Sequence, residues 1–215
     1  MKKGDFIWGG LLVLVILFFV LPTTNEFYSS FGLDHPFIMG FIKFFVLGTM
    51  GEVLAPRLIT KQWNLPKGLH YRASIWGLIG VSLVIIMPLF NIGVHSLQDM
   101  RLLPFAGNKF AIAFFTSLIM NLVFAPTMMM SHKYTDAMID LYYENCKLPS
   151  VKEVVNKIDW QGFIGFVCFK TIPFFWIPAH TITFILPSEY RVLAAAFLGI
   201  ALGLLVAIPK MKNQK

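Results

Sequence analysis

The chain has 215 residues, of which 57% are hydrophobic and only 13% charged. A water-soluble domain of this length carries about a quarter of its residues as charged side chains, so the composition excludes one. The net charge of +7 would suit a nucleic-acid partner, but the basic residues fall in blocks between apolar runs, so nucleic acid is excluded as well.

The first apolar run covers residues 6–21 and follows Lys2 and Lys3. A secretory leader opens in the same way. This run is long for a leader's apolar region, however, and Leu21-Pro22-Thr23-Thr24 is a poor cleavage site, so it reads as an uncleaved anchor. Further runs cover residues 36–54, 73–94, 110–130, 163–186 and 192–208. A bilayer core of about 30 Å requires roughly 20 helical residues, with about 17 as a lower limit. The first and last runs are therefore short and the others sufficient. The expected fold is an all-α, polytopic transmembrane bundle of about six spans. Its expected divisions are an anchor and outer loop at 1–34, a helical membrane domain at 35–208 and a basic tail at 209–215.

Charge placement orients this bundle. Lys2, Lys3, Arg57, Lys61, Lys67, Arg72, Lys133, Lys147, Lys152, Lys157, Lys210, Lys212 and Lys215 lie in one set of connections. The alternate set holds only Arg101, Lys109 and Arg191. The positive-inside bias then puts both termini on the cytoplasmic side, or its equivalent. Residues 131–160 form the largest polar connection. Within it, Val151, Val154, Val155 and Ile158 have helical spacing and read as a short amphipathic helix, lying on the inner membrane surface or packed on the bundle. Asp136, Asp140 and Glu144, spaced four apart, read as a solvated helix face. Cys146 and Cys168 sit at different depths and read as inert thiols.

Ionisable groups at membrane depth are candidates for function. Lys43, Glu52, Lys170 and His180 qualify, with Asn121 as the main uncharged polar addition. Glu52 and Lys170 suit one another by depth and sign, while Lys170 has the alternative of reaching the inner headgroups. Residues 170–191 combine Lys170, His180, Thr171, Thr181 and Thr183 with Pro173, Pro178 and Pro187. Proline frees a carbonyl one turn earlier and threonine hydroxyls can satisfy it, so this span reads either as a self-patched kink or as a break facing water. Gly199 and Gly203 permit close helix contact. Enzyme signatures, metal-ligand spacings and cofactor motifs are not found, and the chain reads as a non-enzyme with no cofactor.

Several strings in order resemble one family. His35-Pro36 opens a span that ends in Gly51-Glu52, and Phe124-Ala125-Pro126 lies in the fourth run. Trp176-Ile-Pro178-Ala179 precedes Phe184, followed by Pro187-Ser-Glu-Tyr190-Arg191. This order is similar to that of the family of the mitochondrial Mpv-seventeen protein and the 22-kDa peroxisomal membrane protein, from about residue 35 to 208. Met120-Asn121 departs from its Asp-Gln, Glu52 from its Asp, and Ile177 separates Trp176 from Pro178. His180 and Thr183 stand near the family's glutamine and asparagine. The chain reads as a divergent member, of prokaryotic type given its lysine-rich start. The resemblance implies an integral membrane protein of an organellar membrane, or of the plasma membrane in a prokaryote, described in the family as a weakly selective channel. The expected function is a channel or carrier for small hydrophilic, anionic metabolites, with Lys43, Glu52, Asn121, Lys170, His180, Thr181 and Thr183 as its intramembrane polar residues. Arg101, Lys109 and Arg191 would add positive charge at the outer mouth. The lipid bilayer, such metabolites and further copies of the chain are the expected partners. The rival expectation is a non-conducting structural or partner-binding membrane protein.

Overall fold

The structure is a computed structural model that describes residues 2–212, and the side chains of all of these except positions 20, 27, 29 and 205–212. The chain runs through α1 (Lys3–Val20), α2 (Pro22–Asp34), α3 (Pro36–Thr60), α4 (Leu69–Asp99), α5 (Lys109–Asn145), α6 (Val151–Lys157) and α7 (Trp160–Gly162). A π-helical segment (Phe163–Trp176), α8 (Ile177–Ile185) and α9 (Ser188–Lys212) complete it, with no strand among the described residues. Four helices are long and apolar enough to cross a membrane: Pro36–Thr60, Leu69–Asp99, Lys109–Asn145 and the continuous run Trp160–Ile185. Helices α1 and α2 make a fifth if taken together as one broken span, bent by 72°. The expected last span at 192–208 and the basic tail at 209–215 run onto residues outside the described side chains.

Two expected connections are helical instead. Residues 22–34 form α2. Pro22 has no N–H to close on the Phe18 carbonyl, so the chain bends there. The Thr24 hydroxyl donates to Phe18 O at 2.6 Å, and Asn25 Nδ2 donates to Phe19 O at 2.7 Å. These bonds satisfy the carbonyls left open at the end of α1. Tyr28 then holds α2 to the start of α9. Its hydroxyl donates to Glu189 O at 3.0 Å, and its ring stacks on that of Tyr190.

The second is the polar connection 131–160. Helix α5 does not end near Met130 but continues for 37 residues to Asn145, about 55 Å at the usual helical rise. It therefore projects well beyond a hydrocarbon core of about 30 Å. The acidic face is helical and half exposed at Asp140 and Glu144, as expected, and it is also paired: Asp136 and Asp140 meet Arg72, and Glu144 meets Lys157 at 2.9 Å. The helix stops at Cys146, whose φ of 52° is left-handed.

Helix α6 opens on a capping box. Ser150 Oγ accepts from the Glu153 N–H, and the Glu153 carboxylate accepts from the Ser150 N–H at 2.7 Å. Val154 and Ile158 pack against Ala137 of α5, while Val151 is 67% exposed. The Ser150 N–H and hydroxyl hold the Glu153 carboxyl below its ordinary value of 4.5. A depressed carboxylate stabilises the fold above its unfolded pKa, and that contribution fades as the pH falls through the lower folded value. Glu153→Gln should therefore speed amide exchange in α6 at neutral pH, and the difference from wild type should vanish in acid below the folded pKa. A difference that persists unchanged in acid would contradict this.

Helix α3 is the centre of the bundle. In lipid there is little hydrophobic gain from bringing helices together, so association relies on close van der Waals packing through small residues. Gly40 of α3 and Gly80 of α4 lie face to face: a Cβ at Gly40 would stand 2.8 Å from Gly80 O, and one at Gly80 would strike Gly40 O. On the other side of α3, a Cβ at Gly51 would stand 2.9 Å from Gly199 O, and one at Gly203 3.0 Å from Gly51 O. The close contact expected of Gly199 and Gly203 is thus made with α3. Helix α1 docks on the far end of α3, where Trp8 Nε1 donates to Met50 O at 3.1 Å. Beside it, Asp5 pairs with Arg57 at 2.8 Å and accepts from Trp63 Nε1.

Candidate functional site

Polar residues inside the spans fall into three groups. The first lines a cavity of about 630 Å³ at the end of the bundle where α3 begins and α9 begins. Lys43, about two turns into α3, is only 9% exposed. Its ammonium lies 4.6 Å from the centre of the Tyr28 ring and has no carboxylate partner among the described residues. Across the cavity, Arg191 Nε donates to Leu186 O at 3.1 Å and Nη1 to Asn91 Oδ1 at 3.3 Å, with the guanidinium 5.5 Å from the Phe184 ring. Exposed Leu33, Pro36, Ser188 and Glu189 form the mouth, and Met39, Val84, Met87 and Ile92 supply apolar walls. Phe44, Leu47 and Leu83, near these lining residues in sequence, belong to the buried core.

The second group joins α5 to α8 and is sealed. Asn121, Ser117 and Thr116 have no exposed surface. Asn121 Nδ2 donates to Ser117 O at 2.8 Å, and His180 Nδ1 lies 3.1 Å from Asn121 Oδ1. With the amide oriented this way, Nδ1 carries the proton of a neutral His180. Ser117 Oγ donates to Ile177 O at 2.7 Å, as does Thr181 Oγ1 from within α8, and Thr183 Oγ1 donates to Ala179 O at 3.1 Å. The Trp176 ring stacks on His180 at 5.2 Å. The run 170–185 is thus an unbroken helix patched by its own hydroxyls and by Ser117. The segment with Pro173 relaxes into π-helix, in which the Ile177 N–H closes on Ile172 O. Asn121→Leu would leave the His180 N–H without its acceptor and remove the amide's bonds to Ser117 O and Oγ. We expect a loss of about 1–3 kcal/mol in thermal unfolding, with no change in solute uptake; a change in uptake at full stability would contradict the sealed arrangement.

The third group lies at the opposite end, around Arg72, whose side chain is 7% exposed. Its Nη1 reaches Glu52 at 3.2 Å and Asp136 at 2.9 Å, and its Nη2 reaches Asp140 at 2.6 Å. Trp76 Nε1 donates to the other Glu52 oxygen at 2.7 Å, and His132 Nδ1 stands 3.1 Å from Asp136. One guanidinium therefore clamps α3, α4 and α5.

The expected polar residues are not gathered in one chamber. Lys43 faces the cavity, Asn121, His180, Thr181 and Thr183 are in the sealed network, and Glu52 belongs to the Arg72 clamp. Glu52 takes Arg72 and Trp76 in place of Lys170. Lys170 is exposed on the outer side of the π-helical segment, beside Phe166 and Phe169, with no ion pair among the described residues. Of the cations expected at a mouth, Arg191 lines the cavity, while Arg101 and Lys109 stand apart from it in the exposed connection to α5. Among the family-like positions, His35-Pro36 makes the turn between α2 and α3. Gly51 meets α9, Ala125 packs with Ile172 and Ile177, and Pro187, Tyr190 and Arg191 begin α9 beside the cavity. Phe124 joins the main core next to Pro126, and Pro178 starts α8.

Sequence reasoning passed over Asn91 and Tyr28, although a polar residue inside the run 73–94 was a usable signal. It also placed Arg72 in a loop, because the apolar run begins one residue later. Comparison of the chain with family models, curated proteins and solved structures finds no match.

Proposed function

We propose that this protein is a membrane carrier for small anionic metabolites, with the Lys43–Arg191 cavity as its binding site. The reading includes six spans with both termini on the basic, cytoplasmic side, and membership in the family that the ordered motifs resemble. The observation that carries it is the Lys43 ammonium, nine-tenths buried, with no carboxylate partner among the described residues and lining a cavity at one end of the bundle. A cation in so apolar a setting costs several kcal/mol unless an anion accompanies it. A carrier suits the geometry because the Arg72 clamp joins α3, α4 and α5 at the end of the bundle opposite the cavity. Purified protein in proteoliposomes should take up labelled small carboxylates, and Lys43→Gln should lower that uptake at least tenfold while leaving the protein folded. Proteoliposomes that stay tight to such solutes over repeated reconstitutions would overturn the reading.

The second reading, a non-conducting structural or partner-binding bundle, draws on the buried Asn121–His180 network and the Arg72 clamp, which hold helices together. It expects the clamp and network variants to lose stability and Lys43→Gln to change no flux.

A further inference from the structure

We propose that the Lys43–Arg191 cavity binds an organic monoanion with an apolar body, its carboxylate or phosphodiester head held at Lys43 and its hydrocarbon part against Met39, Val84, Met87 and Ile92. This rests on the reading of the chain as an anion carrier and sharpens it from small hydrophilic anions to amphipathic ones.

Charge sets the head group. Lys43 and Arg191 supply two cations, and among the described residues the one carboxylate on the cavity wall is Glu189 at its exposed mouth, where the Ser188 hydroxyl donates to it at 3.3 Å. Two cations against one carboxylate leave a single positive charge, which one monoanion neutralises. Arg191 is already fixed by Leu186 O, Asn91 and the Phe184 ring. Lys43, by contrast, has only the face of Tyr28, and its three N–H donors remain available to an oxygen ligand. That makes Lys43 the head-group contact and Arg191 the source of a favourable field across the cavity.

Size and lining set the body. A cavity of about 630 Å³ is in the range of sites for whole organic ligands, about 300–1,000 Å³. An inorganic anion or acetate at Lys43 would leave most of it unfilled. Most of the remaining wall is apolar, with Met39, Val84, Met87, Ile92 and Val192 beside the polar Asn91, and apolar side chains gain by covering hydrocarbon. Two sources offer this chemistry: a soluble short-chain carboxylate, and an anionic lipid of the surrounding bilayer.

The test uses the full chain purified in a non-ionic detergent. Binding of hexanoate, acetate and hexylammonium is measured calorimetrically, with lipid retention read by native mass spectrometry. Hexanoate should bind at least tenfold more tightly than acetate, and hexylammonium should not compete. Lys43→Gln should weaken hexanoate at least tenfold and Lys43→Arg should largely retain it. Met39→Trp, which adds bulk at a buried lining position and keeps the charge, should weaken hexanoate but not acetate. A phosphodiester lipid retained by wild type and lost in Lys43→Gln assigns the bilayer as the source; hexanoate binding without a retained lipid assigns a soluble carboxylate. Equal binding of hexanoate and acetate, or binding unchanged in a folded Lys43→Gln, overturns the proposal. Hexanoate binding that depends on Lys43 without any uptake removes the carrier reading and leaves this site. Uptake that persists in Lys43→Gln with unchanged binding removes the site and leaves transport.

Discussion

Arg72→Ala is expected to lower the stability of the protein by about 3–5 kcal/mol, the usual cost of leaving buried charges without their partner. Glu52 would lose one of its two partners, and Asp136 and Asp140 would be left facing each other across one helical turn with no cation between them. Thermal unfolding followed by tryptophan fluorescence in detergent should show the loss directly. Arg72→Lys should recover only part of it, because one ammonium cannot fork to three carboxylates as a guanidinium does. Combining Arg72→Met with Glu52→Gln should cost less than the two single changes added together, since Glu52→Gln removes the charge that Arg72→Met alone leaves without its cation. Simple additivity, or an unchanged midpoint for Arg72→Ala, would show that the clamp does not hold these helices.

Gly80→Val should be as damaging for a different reason. The Cβ it introduces points at the Gly40 carbonyl of α3, a backbone atom that no rotamer change moves aside. Overpacking of this kind usually costs about 1–3 kcal/mol, and more where backbones must separate. The α3–α4 seam also forms one wall of the cavity, through Lys43 on one side and Val84 and Met87 on the other. Loss of stability should therefore come with loss of anion binding. Gly9→Ala, where an added Cβ meets nothing within 4 Å, should leave both unchanged. Size-exclusion profiles and unfolding midpoints of the two variants decide the matter, and equal behaviour would remove the seam from the account.

The helical membrane character was legible because apolar runs of about 20 residues have few physical alternatives. What was less legible followed from specific contacts. Residues 22–34 are polar enough to read as a loop, and their helix depends on Tyr28 reaching Glu189, 161 positions later in the chain. The continuation of α5 past Met130 depends on Arg72 and Lys157 answering its acidic face, pairings that helical spacing alone does not reveal. Lys43 and Arg191 could each be singled out as membrane-depth or mouth cations. That they share one cavity required the packing of α2, α3, α4 and α9. Glu52 was sensed as needing a cation, but depth and sign suited Lys170, and the choice of Arg72 was set by α3 lying against α4. Pro178, His180 and the threonines were read correctly as polar and costly. The π-helical relaxation around Pro173 and the hydroxyl of Ser117 offset part of that cost.

The account divides the intramembrane polar groups into a cavity that water reaches at Lys43 and a network sealed around Asn121, Ser117 and His180. Cysteine accessibility tests that division most directly. In a background of Cys146→Ser with Cys168→Ala, Met39→Cys should react from one side of the membrane with an impermeant thiol reagent, and hexanoate should slow the reaction. Ser117→Cys should stay unreactive until the protein is unfolded. Rapid labelling at Ser117→Cys in the folded protein, or none at Met39→Cys from either side, would contradict it.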